Sequence, residues 1–210
     1  MATNDAAPVK RPGLRMLRPD LEGLPPLEPA LAALPTGYGF RSYHAGDEAA
    51  WAEIMNTGQM GDWDAQRTRE ELTGRPYPQF DAEGLFFITY GTHGSDVKPV
   101  GSACAWLLEP GETETGVLHM VCVLPEHRGR RLSYPLCLAV LHRFRRRGFR
   151  RVLLNTGDWR LGALKIYLEL GFQPVYHHPL HPQQWHDVVQ QLGWPRPLAP
   201  VFEESAAGIG

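Results

Sequence analysis

The residues best placed to do chemistry lie in VCVLPEHRGRRLSYPL, residues 121–136. An apolar, β-branched strand pattern runs into a turn holding Arg128, Arg130 and Arg131, and then into an apolar helical pattern. Strand, basic turn and helix in that order present backbone N–H groups and positive charge to a phosphate. Phosphate loops favour glycine at their tightest points, and here Gly129 stands among three arginines. The charge is local: from His127 to Gly157 there are nine arginines and no Asp or Glu. A nucleic acid or a small polyphosphate would suit such a stretch. Arg145 to Arg147 have a simpler reading, because cations at a helix C-terminus are stabilising. That leaves Arg128 to Arg131 for a ligand. No exposed aromatics are expected to interleave with those arginines, which counts against nucleic acid.

A second cluster, HHPLHPQQWH, places His177, His178, His181 and His186 within ten residues, with Asp187 next. Prolines interrupt the ligand spacing and no cysteine completes it, so no metal is expected. Cys104, Cys122 and Cys137 sit in apolar runs without metal or redox spacing. They read as buried thiols of a reducing cytoplasm.

The elements that must position these groups follow from periodicity. Residues 1–37 are rich in Pro, Leu and Ala and read as an arm, extended or disordered, laid over the body. Tyr38 to His44 is a first strand. Asp47 caps a helix bearing Trp51, Ile54 and Met55, stopped near Gly58. A short helix over Thr68–Leu72 follows, with Thr68 and Glu71 spaced as a capping box and Gly74 at its end. Strands are expected at Leu85–Tyr90, Val100–Leu108 and Gly116–Val123. Leu132, Leu136, Val140 and Phe144 define a helix over Ser133–Arg147 with Ser133 as N-cap. A strand, a helix over 161–170, a strand over Phe172–Tyr176 and a helix over Pro182–Leu192 complete the chain. This order predicts a mixed α/β (α+β) fold: a mostly antiparallel sheet of six to seven strands with helices on both faces. The 210 residues then divide into the arm (1–37), a domain over 38–176 and a packed C-terminal segment, 177–210. No apolar run reaches the roughly 18–20 residues of a membrane span. The first residues carry no apolar signal core, so a cytoplasmic location is expected.

Two motifs in order, Val123 to Ser133 and Ala163-Leu-Lys-Ile-Tyr167 through Gly171-Phe172, resemble the GNAT superfamily of N-acetyltransferases. The resemblance spans about residues 38–176. It implies acetyl-CoA as cosubstrate, with the pantetheine arm against the backbone of Val121, Cys122 and Val123. Arg128, Gly129, Arg130, Arg131, Leu132 and Ser133 would hold the pyrophosphate. The family pattern puts a small residue where Arg131 stands, and Gly or Ala where Ser133 stands. At negative φ an outward Arg131 leaves the N–H donors intact. At positive φ a non-glycine residue costs roughly 1–2 kcal/mol, which binding could absorb. Arg160 takes the place where many relatives have Asn, and Asn155 lies nearby on the preceding strand.

The resemblance also implies roles in acetyl transfer to an amine. Tyr167 occupies the family's general-acid position. The N–H near Val121 is the candidate oxyanion donor. His119, two residues before Val121 and so expected on the same strand face, is the candidate general base; a strand histidine satisfied by a carbonyl is the alternative. Glu126 reads as structural. Asp62, Trp63 and Asp64 lie in the loop that lines the acceptor side in relatives, where they either hold an ammonium or form a capped, solvated loop. The expected function is direct, metal-free acetyl transfer to a small-molecule or peptide amine, by a monomer or homodimer. The competing class is a non-catalytic CoA- or ligand-binding module on the same fold.

Overall fold

The computed structural model describes residues 11–73, 80–92 and 94–202. Gly74, the expected end of the second helix, lies outside them. Within the described residues the strands are β1 (Leu14–Arg18), β2 (Tyr38–Ser42), β3 (Phe80–Tyr90), β4 (Lys98–Leu107), β5 (Thr115–Val123), β6 (Arg151–Thr156), β7 (Gln173–Tyr176) and β8 (Val201–Phe202). The helices are α1 (Leu27–Ala32), α2 (Glu48–Thr57), α3 (Ala65–Thr73), α4 (Ser133–Arg146), α5 (Leu161–Glu169) and α6 (His181–Leu192). All the strands join one sheet in the order β2-β3-β4-β5-β6-β1-β7-β8. Neighbours are antiparallel except β5 with β6 and β7 with β8.

The fold class follows the sequence reading, with eight strands rather than six to seven. One of the extra strands corrects the view of residues 1–37 as an arm laid over the body. β1 lies between β6 and β7, with Leu14 opposite Thr156 and Met16 opposite Pro174. Its LRMLR alternation buries Leu14 and Met16 completely, which gives those five residues a reason to pair. The other extra strand, β8, has only two residues, at the sheet edge.

α2 and α4 cover opposite faces of β4 and β5. The four-residue spacing read in α4 is its buried stripe: Leu132, Leu136, Val140 and Phe144 are all in the core. Caps differ from expectation. Leu132, not Ser133, is the N-cap of α4, without a side-chain cap. Asp47 precedes α2 but bonds Arg41 at 2.6 and 2.7 Å instead of capping, and α3 starts earlier than expected. Asp64 caps it, accepting from Arg67 N at 2.7 Å, so Thr68 falls inside the helix with its hydroxyl buried.

Candidate active site

The site is an opening in the sheet. β5 and β6 pair in parallel only from Thr115–Arg151 to Val117–Leu153, and beyond that the two strands part. On its other side β5 is bulged against β4. Ser102 faces Cys122 and Cys104 faces His119, so three steps on β5 match two on β4. Met120, at φ 51°, makes the bulge and leaves the backbone of Met120 and Val121 out of the ladder. A cleft of about 860 Å³ starts at Val121 and runs to the loop after β5.

This bulge corrects the expected face of His119. Gly116 points to α4, where an added Cβ would sit 2.4 Å from Phe144. Cys122, an even number of residues on, instead points its Sγ at Ile54 O of α2, 3.3 Å away. The extra residue has flipped the strand's parity, so alternation cannot place His119 and Val121 together. His119 packs on Trp106, ring centroids 5.2 Å apart, and is not among the residues lining the cleft. Burial holds its imidazole below the usual histidine range.

The loop answers the question its arginines raise. Gly129 turns at φ 79° and Arg131 at φ 57°, so the family's first small position is left-handed here with an arginine in it. The Arg131 side chain leads away to α5, where Glu169 accepts at 2.7 Å, and it stacks on Tyr134. That ion pair raises its pKa. Arg128 Nε donates to Val123 O at 2.8 Å, tying the loop to the strand end. Arg130 donates to Glu126 O at 2.7 Å and to Arg128 O. Glu126 is exposed, and it is its backbone carbonyl that accepts from Arg130. The guanidinium groups therefore shape the loop, Arg128 N–H donates to Pro125 O at 3.1 Å, and the start of α4 has no side-chain cap. Leu132 and Ser133 also line the cleft, as do Cys122 and Val123.

α5 forms the opposite wall through Leu161, Gly162, Ala163, Lys165 and Ile166, with Trp159 and Arg160 ahead of it. Arg160 reaches Gly58 O at 3.4 Å. Asn155 accepts from Arg15 of β1 and does not line the cleft. Tyr167 lies behind the wall, 6% exposed. Its pKa is raised by burial first and then by the nearby Cys137, while Arg160 opposes. Among the described residues its hydroxyl has no hydrogen-bond partner. Cys104, Cys122 and Cys137 are free and buried, and burial raises all three thiols.

The expected acceptor loop buries Trp63 and leaves Asp62 and Asp64 exposed. Trp63 packs edge-on against Trp51 at 4.9 Å, its backbone is clamped by Asn56, and Arg67 covers its ring at 4.3 Å. With the ring face taken and Asp64 capping α3, the capped-loop reading stands. What the sequence did not reveal is the turn after α2. Thr57, Gly58 and Gln59 line the cleft, and a Cβ at Gly58 would sit 2.5 Å from Cys122 Sγ. Gln59 has φ 55°. The non-glycine residues with positive φ among those described are Gln59, Met120 and Arg131, and all lie in or beside this one cleft. Strained backbone clusters at functional sites, which makes this cleft the candidate. In the histidine-rich segment, His181 Nδ1 accepts from His177 N at 3.3 Å, His186 bonds Gln190, and Asp187 pairs with Arg11. No cluster that could hold a metal occurs among the described residues.

The profile of the Acetyltransferase (GNAT) family matches residues 49–172. The chain belongs to the GNAT acetyltransferase family. Mycothiol acetyltransferases of Thermobispora bispora and Geodermatophilus obscurus are 31% and 30% identical to it, over 75% and 76% of this chain. Those matches cover 52% and 51% of the relatives, so the chain spans about half the length of the curated relatives it matches. Among solved structures, a GCN5-related N-acetyltransferase from Sphaerobacter thermophilus superposes with a TM-score of 0.57 at 22% identity, over 78% of this chain and 49% of that one. The GNAT fold thus accounts for the parted strands, and acetyl-CoA is the family's acetyl donor. No helix among the described residues is long and apolar enough to cross a membrane.

Proposed function

We propose that this chain is an acetyl-CoA-dependent N-acetyltransferase that passes the acetyl group directly to an amine, without a metal. The parting of β5 from β6 carries the reading: a gap edged by unpaired strand backbone leads to a loop rich in N–H donors. Bound acetyl-CoA supplies an activated thioester. Val121 N–H, freed from the ladder by the bulge, suits the carbonyl oxygen as it gains charge. Residues 129–133 would hold the pyrophosphate through backbone N–H groups, with Arg128 tying the loop to Val123 O, and Arg160 would flank the pantetheine path. The Tyr167 phenol, protonated and buried behind the cleft wall, would donate an O–H···S hydrogen bond to the departing thiolate. Complete proton transfer from so weak an acid to a thiolate of pKa near ~8.5 runs uphill, so its role is hydrogen-bond stabilisation.

The amine must lose a proton before it attacks, since an alkylammonium has a pKa near ~10.4. His119, held neutral by burial, is the group on β5 able to accept it. It packs against Trp106 outside the cleft lining, so in this reading the proton reaches it through solvent. The names of the relatives make mycothiol-related amines the first acceptors to try, followed by other small-molecule and peptide amines. Three buried free thiols suit a reducing cytoplasm.

Calorimetric titration with acetyl-CoA, joined to a thiol-release assay over an amine panel, tests this reading. Tyr167→Phe is expected to lower turnover roughly a hundredfold while leaving acetyl-CoA affinity within a few-fold. Absence of heat with both acetyl-CoA and CoA would end the enzyme reading. Binding without transfer to any amine would favour a ligand-binding module.

A further inference from the structure

The basic side chains lining the cleft are mostly committed within the protein. His127 Nδ1 bonds the Tyr38 hydroxyl at 2.8 Å. Arg128 is on Val123 O, Arg130 on Glu126 O and Arg131 on Glu169. Arg160 reaches Gly58 O. Lys165 differs: it is exposed, lines the cleft, and has no hydrogen-bond or ion-pair partner among the described residues.

Its place follows from the helix. Lys165 and Glu169 are four residues apart on α5, so their Cβ atoms are neighbours at roughly 6 Å. Glu169 in turn holds Arg131 of the loop. Lys165 therefore stands one turn along from the point where the loop is fastened to α5, with its ammonium free. The backbone N–H groups of the loop suit the bridging pyrophosphate, whose charge is shared along a chain. A terminal phosphomonoester is a more compact dianion, and a mobile ammonium is a good point-charge partner for it.

We propose that Lys165 binds the 3′-phosphate of coenzyme A and makes this protein select the 3′-phosphorylated cofactor. The inference rests on the acetyl-CoA reading above and adds a specificity residue to it. An alternative use of the free ammonium, general attraction of anions to the cleft, would treat every phosphorylated ligand alike.

The experiment is calorimetry of the full chain with CoA and with dephospho-CoA, which lacks only the 3′-phosphate, on wild type and Lys165→Ala. A charge-assisted hydrogen bond contributes enough for wild type to prefer CoA by about tenfold. Lys165→Ala should bring CoA down to the dephospho-CoA level and leave dephospho-CoA affinity unchanged, and Lys165→Arg should restore most of the preference. Equal wild-type affinity for the two ligands overturns the proposal while leaving the acetyl-CoA reading intact. An equal loss for both ligands in Lys165→Ala overturns it in favour of general attraction. Failure of wild type to bind either ligand removes the acetyl-CoA reading itself. Lys165 is exposed, and an unchanged melting temperature will show that the variant is folded.

Discussion

Two arginine clusters lie within twenty residues of each other and behave oppositely. Arg128, Arg130 and Arg131 bend back on the chain, donating to Val123 O at the strand end, to carbonyls of the loop itself and to Glu169 on another helix. Arg145, Arg146 and Arg147 stand exposed at the C-terminal end of α4, where they complement the helix dipole. The first cluster fixes a backbone; the second decorates a finished one. Residue type cannot separate them. The backbone does: Arg131 has φ 57°, and Arg147, the C-cap, has φ −85°.

The largest expected difference is in cofactor affinity. Arg128 ties the loop to Val123, so Arg128→Ala should weaken acetyl-CoA binding by roughly tenfold to a hundredfold, the range for losing a hydrogen bond from a charged group. Arg146→Ala at the helix end should stay within about twofold, as an exposed cation contributes little. Calorimetry on the two variants decides it. Equal losses would mean that the whole basic stretch acts as one diffuse attractor.

A middle-sized effect concerns strain and can reverse its sign between the clusters. At Arg131 the left-handed backbone favours Gly over Ala by roughly 1 kcal/mol. Arg131→Gly should therefore unfold at higher temperature than Arg131→Ala, both having lost the Glu169 pair. At Arg147 the order should invert, Ala exceeding Gly by about 0.5–1 kcal/mol through unfolded-chain entropy. Thermal denaturation of the four variants is the measurement. The same order at both sites would mean that the left-handed turn is not where the loop's cost lies.

The contrast shows what the sequence could convey. The run from β5 through the loop into α4 was legible because strand alternation, a basic turn and a four-residue apolar spacing are local patterns. So was Tyr167, through its place in the second motif. The bulge was not: nothing in Met120 marks a residue that will turn left-handed, since its conformation is imposed by pairing with β4. Simple alternation puts His119 and Val121 on one face, and only the bulge separates them. β1 was hidden for a different reason. Its five-residue pattern sits inside Pro-rich surroundings, and only the slot between β6 and β7 makes it a strand. The turn at Gln59 enters the cleft by tertiary packing, and no local signal announces it.

The smallest effect uses the fact that both arginine clusters keep their charge at every accessible pH. Histidines provide a response below neutrality that neither cluster can. Burial lowers the pKa of His119, and burial with neighbouring His177 and His178 lowers that of His181. A lowered folded pKa means that the unfolded chain binds more protons once the pH drops below the unfolded value of about 6.5. Stability should then hold above about pH 6.5 and decline as the pH falls toward the folded values, with no matching loss on the alkaline side from these groups. His119→Gln should flatten part of that decline in a melting-temperature profile. If His119 is also the base, the acid limb of turnover should lie below pH 6.5 in wild type and vanish in the variant along with most of the rate. A decline in stability that His119→Gln leaves unchanged would assign the proton uptake to His181, and an acid limb that survives the substitution would remove His119 from the chemistry.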